Sequence, residues 1–134
     1  MRRTLALIPA LAASLLAGSA TANGGGYLWG SSLRVIGVGA FDLDPSDAVT
    51  IEFTDGSVAG RSGCNRYTGP VNLKADRIEV GTVAGTRMAC PDREMEIERS
   101  FLGALESVTG WRIAEDGALE LTTEDAPLIR AVAP

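Results

Sequence analysis

The chain of 134 residues contains no histidine. The commonest general base and the commonest metal ligand are therefore absent from its chemistry. Aromatic residues are also scarce, with two Trp, two Tyr and three Phe. So few large rings are needed for packing, and Trp29 and Trp111 read as core anchors rather than ligand stackers. Basic residues number 12 against 17 acidic ones, a net charge of −5. That balance argues against nucleic acid and against anionic membrane surfaces as partners. No apolar run is long enough to span a bilayer comfortably; the longest, Leu5 to Leu16, is too short.

What stands at the N-terminus is a secretory signal peptide over residues 1–22. Arg2 and Arg3 form its basic start, Leu5 to Leu16 its apolar centre, and Ala20-Thr21-Ala22 the small residues that precede cleavage before Asn23. The arginine pair leaves Sec and twin-arginine export both open. Leu16-Ala17-Gly18-Ser19 has the form of a lipobox with serine in place of cysteine. A thioether to lipid needs sulfur, so no lipid anchor is expected. The mature chain is expected to be periplasmic or secreted, and soluble after cleavage. Two cysteines, Cys64 and Cys90, then lie in an oxidising compartment and read as one disulfide. Such a bond would stabilise the fold by roughly 3–4 kcal/mol in the chain-entropy model. Two buried free thiols are the open alternative. A catalytic thiolate would have no imidazole to activate it.

Residues 23–26 are a glycine-rich stub, and residues 27–134 form one domain with one core. Leu28 to Ile36 reads as a strand broken at Gly30-Ser31-Ser32. Residues 37–47, with Asp42, Asp44, Pro45 and Asp47, read as a solvated loop. Val49, Ile51 and Phe53 alternate with polar residues as in a half-buried strand, and Asp55-Gly56 supplies a hairpin turn. A strand from Ser57 runs into Gly60 and Gly63, which predict a bulge or sharp bend. Tyr67 to Leu73 continues as a strand interrupted at Gly69-Pro70, and Ile78 with Val80 begins another. One helix is predicted from Asp92, as N-cap, to Val108, ended by Gly110. Ile97, Phe101, Ala104, Leu105 and Val108 form its apolar stripe. Trp111–Ile113, Leu119–Leu121 and Leu128–Val132 complete the strands. The pattern predicts a mainly β fold: a compact antiparallel β-barrel-like or strongly curled sheet with one amphipathic α-helix packed on it.

Two motifs surround the cysteines. The first is Gly60-Arg61-Ser62-Gly63-Cys64-Asn65-Arg66-Tyr67. The second is Thr86-Arg87-Met88-Ala89-Cys90, followed by Glu98, Phe101 and Leu105. Physically they look structural. Gly60 and Gly63 permit backbone geometry that a Cβ forbids. Asn65 can hold a turn through its neighbours' backbone groups. Tyr67 can bury its ring if its hydroxyl finds a partner. Together the motifs resemble the META domain of HslJ-like heat-inducible bacterial envelope proteins, over almost the whole mature chain from Trp29 to about Val132. The resemblance implies a barrel-like domain with a helix packed over it, both cysteine motifs close in space, and a place in the bacterial envelope and its stress response. It supplies no family-wide catalytic residues.

Glu98 is the candidate for a functional carboxylate, with Arg87 and Arg99 as possible partners; an ordinary acidic residue near a helix N-terminus is the simpler alternative. Asp92, Glu94, Glu96 and Glu98 do not have EF-hand spacing, and the Asp42, Asp44, Asp47 loop lacks the distal glutamate of one. No metal site, no cofactor and no catalytic residue is assigned. The leading expectation is a non-catalytic, monomeric envelope factor that binds a protein or small ligand. The alternatives are a carboxylate-dependent hydrolase, which needs two facing carboxylates, and a lipocalin-like carrier, which needs an open barrel. The exported protein should begin at Asn23 and carry no acyl group. Intact-mass measurement tests this; a lipid increment, or an N-terminus at Met1, would contradict it.

Overall fold

A computed structural model describes residues 28–124 and 126–134. The expected signal peptide, Ser19 and the glycine-rich stub lie outside the described residues. Short alternating segments fold as ten strands and one helix: β1 (Ser32–Val38), β2 (Phe41–Asp42), β3 (Thr50–Thr54), β4 (Ser57–Arg61), β5 (Arg66–Lys74), β6 (Arg77–Val80), β7 (Ala84–Gly85), α1 (Asp92–Ser107), β8 (Gly110–Ile113), β9 (Leu119–Thr123) and β10 (Ala126–Val132). Eight of them close an antiparallel barrel in the order β1-β3-β4-β5-β6-β8-β9-β10, with β10 pairing back to β1. β2 and β7 are short additions against β1 and β5.

The alternation rule explains what fills the barrel. Ile51 and Phe53 of β3, Val58 of β4, Tyr67 and Val71 of β5, and Leu119 and Leu121 of β9 all point inward and are buried. They belong to one core cluster with Ile97, Phe101 and Leu105 of α1. The helix touches β6 on one side of the ring and β1 and β10 on another. It therefore lies across an opening of the barrel and closes it with its apolar stripe. Trp29 and Trp111 are only partly buried and pack against this core from its margin, whereas Phe53 and Phe101 are fully inside.

Several boundaries differ from those the sequence predicts. β1 starts at Ser32, because Leu28–Gly30 is a turn, and it runs through Gly37 by a register shift against β10. The loop predicted over residues 37–47 contains the end of β1, β2 and a single 3-10 turn, Pro45–Asp47. Gly69-Pro70 does not interrupt β5. Pro70 stands just past the β6 ladder, where its carbonyl accepts from the Gly81 N–H at 2.9 Å and its missing N–H deprives no strand residue of a partner. The helix takes Pro91 as its N-cap, with Asp92 already helical. Gly110 opens β8 instead of ending the helix, which stops at Ser107 because Val108 is extended.

Replacing Phe101 by alanine removes the central side chain of the plug. Urea unfolding should show a loss of roughly 3–5 kcal/mol, the usual range for a buried phenylalanine. A loss below about 1 kcal/mol would mean that the helix face is not part of the core.

Candidate functional site

The two cysteine motifs meet beneath the first half of α1. β4 ends at Arg61, and the chain turns back over Ser62–Asn65 before β5 begins; the Ser62 N–H donates to the Asn65 carbonyl at 2.9 Å. The turn needs both motif glycines. A Cβ on Gly60 would collide with the Thr50 carbonyl. Gly63 has φ +116°, and a Cβ there would lie 3.1 Å from the Glu94 carbonyl and 3.3 Å from the Ile97 side chain. The helix can approach this closely only over a bare backbone.

Into the turn points the carboxylate of Glu98, on a residue only 7 % exposed. Its Oε1 accepts the Asn65 backbone N–H at 2.7 Å and lies 2.5 Å from the Ser62 hydroxyl. That hydroxyl is also 2.9 Å from the Asn65 carbonyl, with one hydrogen to share between them. Glu98 Oε2 accepts Asn65 Nδ2 at 2.9 Å. The other side of the Asn65 amide holds the second motif: its Oδ1 accepts the Met88 N–H at 2.6 Å and the Thr86 hydroxyl at 3.0 Å, and its Nδ2 also reaches the Met88 carbonyl at 3.3 Å. Every donor and acceptor of the Asn65 amide is used. Beside it Cys64 and Cys90 form the disulfide, with Cα atoms 5.9 Å apart, and no cysteine remains free.

The motif residues thus converge, though not all through their side chains. Met88 contributes main-chain groups while its side chain is 59 % exposed. The Tyr67 hydroxyl donates to the Thr50 carbonyl at 2.8 Å, and its ring meets Phe101 edge-on at 5.3 Å. Burial, with Glu52 nearby, pushes the Tyr67 phenol well above its ordinary range. Arg87 and Arg99, the expected partners of Glu98, are both exposed and do not bond it; its partners are neutral donors. Asp92 and Glu96 are exposed and do not join it, and among the described residues no group of His, Cys, Asp or Glu is arranged to hold a metal ion.

Three ion pairs, around Asp47 and Glu120, are not legible in the sequence. Asp47, expected in a solvated loop, is buried: its carboxylate accepts the Asp44 N–H at 2.8 Å and pairs with Arg93 at 3.1 Å, fastening the 3-10 turn to the start of the helix. Glu120, on the outer face of β9, lies between Arg112 of β8 at 2.9 Å and Arg130 of β10 at 3.0 Å. The register places these three residues side by side across the strands, a relation that only the pairing of β8, β9 and β10 reveals.

Burial alone would raise the Glu98 carboxyl, but the Ser62 hydroxyl, the Asn65 side chain and the Asn65 and Cys64 backbone N–H groups outweigh it and hold it below the ordinary value of 4.5. An ionised carboxylate with both oxygens occupied is a clamp rather than a proton donor at neutral pH. Because its folded value is depressed, its contribution is complete above 4.5 and is lost as the pH falls through the folded value. Glu98→Gln should cost about 1.5–3 kcal/mol at pH 7, the range for hydrogen bonds to a charged group. The difference between wild type and variant should shrink in acid. Urea titrations at pH 7 and pH 3 measure it, and a gap independent of pH would refute this role.

No described helix is long and apolar enough to cross a membrane. No curated protein matches the chain. Among solved structures it is similar to a protein from Burkholderia xenovorans determined by NMR, with 27 % identity and a TM-score of 0.61, over 79 % of this chain and 83 % of that one. The META domain family model matches residues 29–134, which takes in every strand, the helix, both cysteine motifs and Glu98: the chain belongs to the META domain family.

Proposed function

We propose that this protein is an exported, non-catalytic factor of the bacterial envelope, serving its maintenance or stress response by binding a protein or small ligand. The observation that carries this reading is the occupancy of Glu98. The most buried carboxylate of the cysteine motifs has both oxygens engaged by Ser62 and Asn65, and its depressed pKa is opposite to that of a general acid. This disfavours the hydrolase alternative. The side chains that fill the barrel disfavour a lipocalin-like carrier, which needs a lumen. The disulfide between Cys64 and Cys90 suits an oxidising compartment and supports export.

The test compares the exported protein with its Glu98→Gln variant against a panel of p-nitrophenyl glycosides and esters. Neither should show turnover above buffer. Hydrolysis by the wild type that disappears in a variant with an intact fold, judged by its circular dichroism, would replace this reading with the hydrolase.

A further inference from the structure

Two walls of the barrel treat their arginines differently. On the wall of β8, β9 and β10, Arg112, Glu120 and Arg130 stand side by side, and the glutamate ties the two guanidiniums together. A second row crosses β1, β3, β4 and β5. Arg34 of β1 faces Thr50 of β3. The register between β3 and β4 continues past the Glu52–Ala59 pair to the Val49–Ser62 bridge, which sets Thr50 against Arg61. Arg61 in turn faces Arg66 of β5. The flanking residues Val35, Ile51, Ser62 and Tyr67 are buried, so alternation puts this row on the outer face. Arg34 and Arg61 are two strands apart, as Arg112 and Arg130 are. A threonine stands between them where the other row has its glutamate.

Among the described residues, none of these three guanidiniums makes an ion pair or a hydrogen bond. Arg61 and Arg66 are exposed, and Arg34 is half-buried. The four strands carry a single acidic residue, Glu52, one row away between Ser32 and Ala59. Like charges directly opposite each other destabilise a sheet, yet Arg61 faces Arg66 in a chain of net charge −5. The Thr50 hydroxyl accepts the Arg61 N–H at 3.0 Å, and its own hydrogen has no acceptor among the described residues. Next to Arg66 lies Thr86, whose N–H donates to the Arg66 carbonyl at 3.0 Å. Arg87 and Met88 follow it. Both are exposed, and Met88 is the more exposed of two large apolar side chains on the described surface.

We propose that this wall is a docking surface for a partner protein, an acidic loop of which sets a carboxylate over Thr50 between Arg34 and Arg61. The occupant follows from charge complementarity: the chain itself fills the equivalent place between Arg112 and Arg130 with a glutamate. Guanidiniums present paired N–H groups that match the two oxygens of a carboxylate, and the Thr50 hydroxyl adds a further donor. The bound charge also relieves the repulsion between Arg61 and Arg66. Arginine and methionine are enriched at protein interfaces, which suits Arg87 and Met88 as the margin of this one. The acidic chain as a whole repels an extended polyanion or an anionic membrane, so a local row of cations favours one acidic loop over either. The proposal rests on the binding role given above and names its surface.

A phage-displayed random dodecapeptide library, selected on the disulfide-intact exported protein, tests it. Enriched peptides should carry Asp or Glu. When resynthesised and titrated into ¹⁵N-labelled protein, they should move the side-chain Nε–H signals of Arg34, Arg61 and Arg66. Replacing their acidic residues by the amides should weaken binding roughly tenfold or more. An Arg61→Gln/Arg66→Gln variant should lose the same peptides by a similar factor. Its melting temperature should not fall, because the substitution removes a like-charge pair; a fall would make the arginines structural and overturn the site. A library that enriches nothing over this variant would overturn it too, as would peptides whose amide forms bind equally well. Tighter binding to phosphatidylglycerol vesicles than to any enriched peptide would assign the row to a membrane. Concentration-dependent dimerisation that the variant loses would assign it to a second copy, and either result overturns the proposal. Peptides that bind without moving these arginines would defeat this surface while leaving the binding role intact; turnover in the hydrolase panel would defeat the role itself.

Discussion

The grip of Glu98 on Asn65 is the interaction on which the rest of this structure depends. A helix lying across a barrel gains apolar burial from Ile97, Phe101 and Leu105, but burial is non-directional and does not fix where along the opening the helix rests. The carboxylate does. It bonds only when the Ser62–Asn65 turn is tight, when Gly63 lets the helix backbone approach, and when the Asn65 amide faces the second motif. Its charge is buried without a cation, and several aligned donors offset that cost. Replacing any one donor would leave an ion short of partners in a low-dielectric site, which is why the cluster holds only as a unit.

The disulfide and the ion pair of Asp47 with Arg93 act on the same end of the helix. Cys90 immediately precedes Pro91, the N-cap, and Arg93 lies in the first turn. Three different kinds of tie, covalent, charged and hydrogen-bonded, thus converge on the first two turns of α1. The outer wall of β8, β9 and β10 is fastened separately by Glu120 between Arg112 and Arg130. Both Glu120 and Asp116 are held below the ordinary carboxylate range, Glu120 first by the Arg112 hydrogen bond and Asp116 first by the Ala118 N–H. Acid would therefore loosen the clamp and the outer wall together, although the exposure of Asp116 and of the arginines makes the wall the weaker contributor.

Much of this was legible in the residues because the signals are local. Alternation at Val49–Phe53, the Asp55-Gly56 turn and the stripe at Ile97, Phe101 and Leu105 each depend on a few neighbours, and each became the element expected. The disulfide was foreseeable because only two cysteines exist. The identity of Glu98 as a candidate was legible; its partners were not. Ser62 and Asn65 lie more than 30 positions away and are neutral, so a search for opposite charge pointed to Arg87 and Arg99 instead. Asp47 was misplaced in solvent for a related reason: its partner Arg93 lies 46 positions later. Gly69-Pro70 misled because proline's missing N–H matters only where a partner strand is waiting, and at that point β6 has already ended.

The distribution of these ties also explains where the pairing around the barrel is shortest. At the N-terminal end of α1 the covalent bond, the ion pair and the carboxylate cluster hold helix and strands together. At its C-terminal end the side-chain tie is Glu106 accepting the Val83 N–H at 3.1 Å, supplemented by the packing of Leu105 and Val108. The chain leaves this end of the helix to enter β8, and Thr109 is drawn toward β9 by its bond to Thr122. It cannot also complete the ladder with β6. A closed barrel ordinarily removes every strand edge. Here the route of the chain out of the helix cuts the β6–β8 ladder to one register pair, although Ile78 and Val80 remain buried in the core. The dense ties at the cysteine motifs and the short β6–β8 ladder are therefore two consequences of one arrangement, in which the helix is anchored at its start and the barrel is sealed by a single register pair beyond its end.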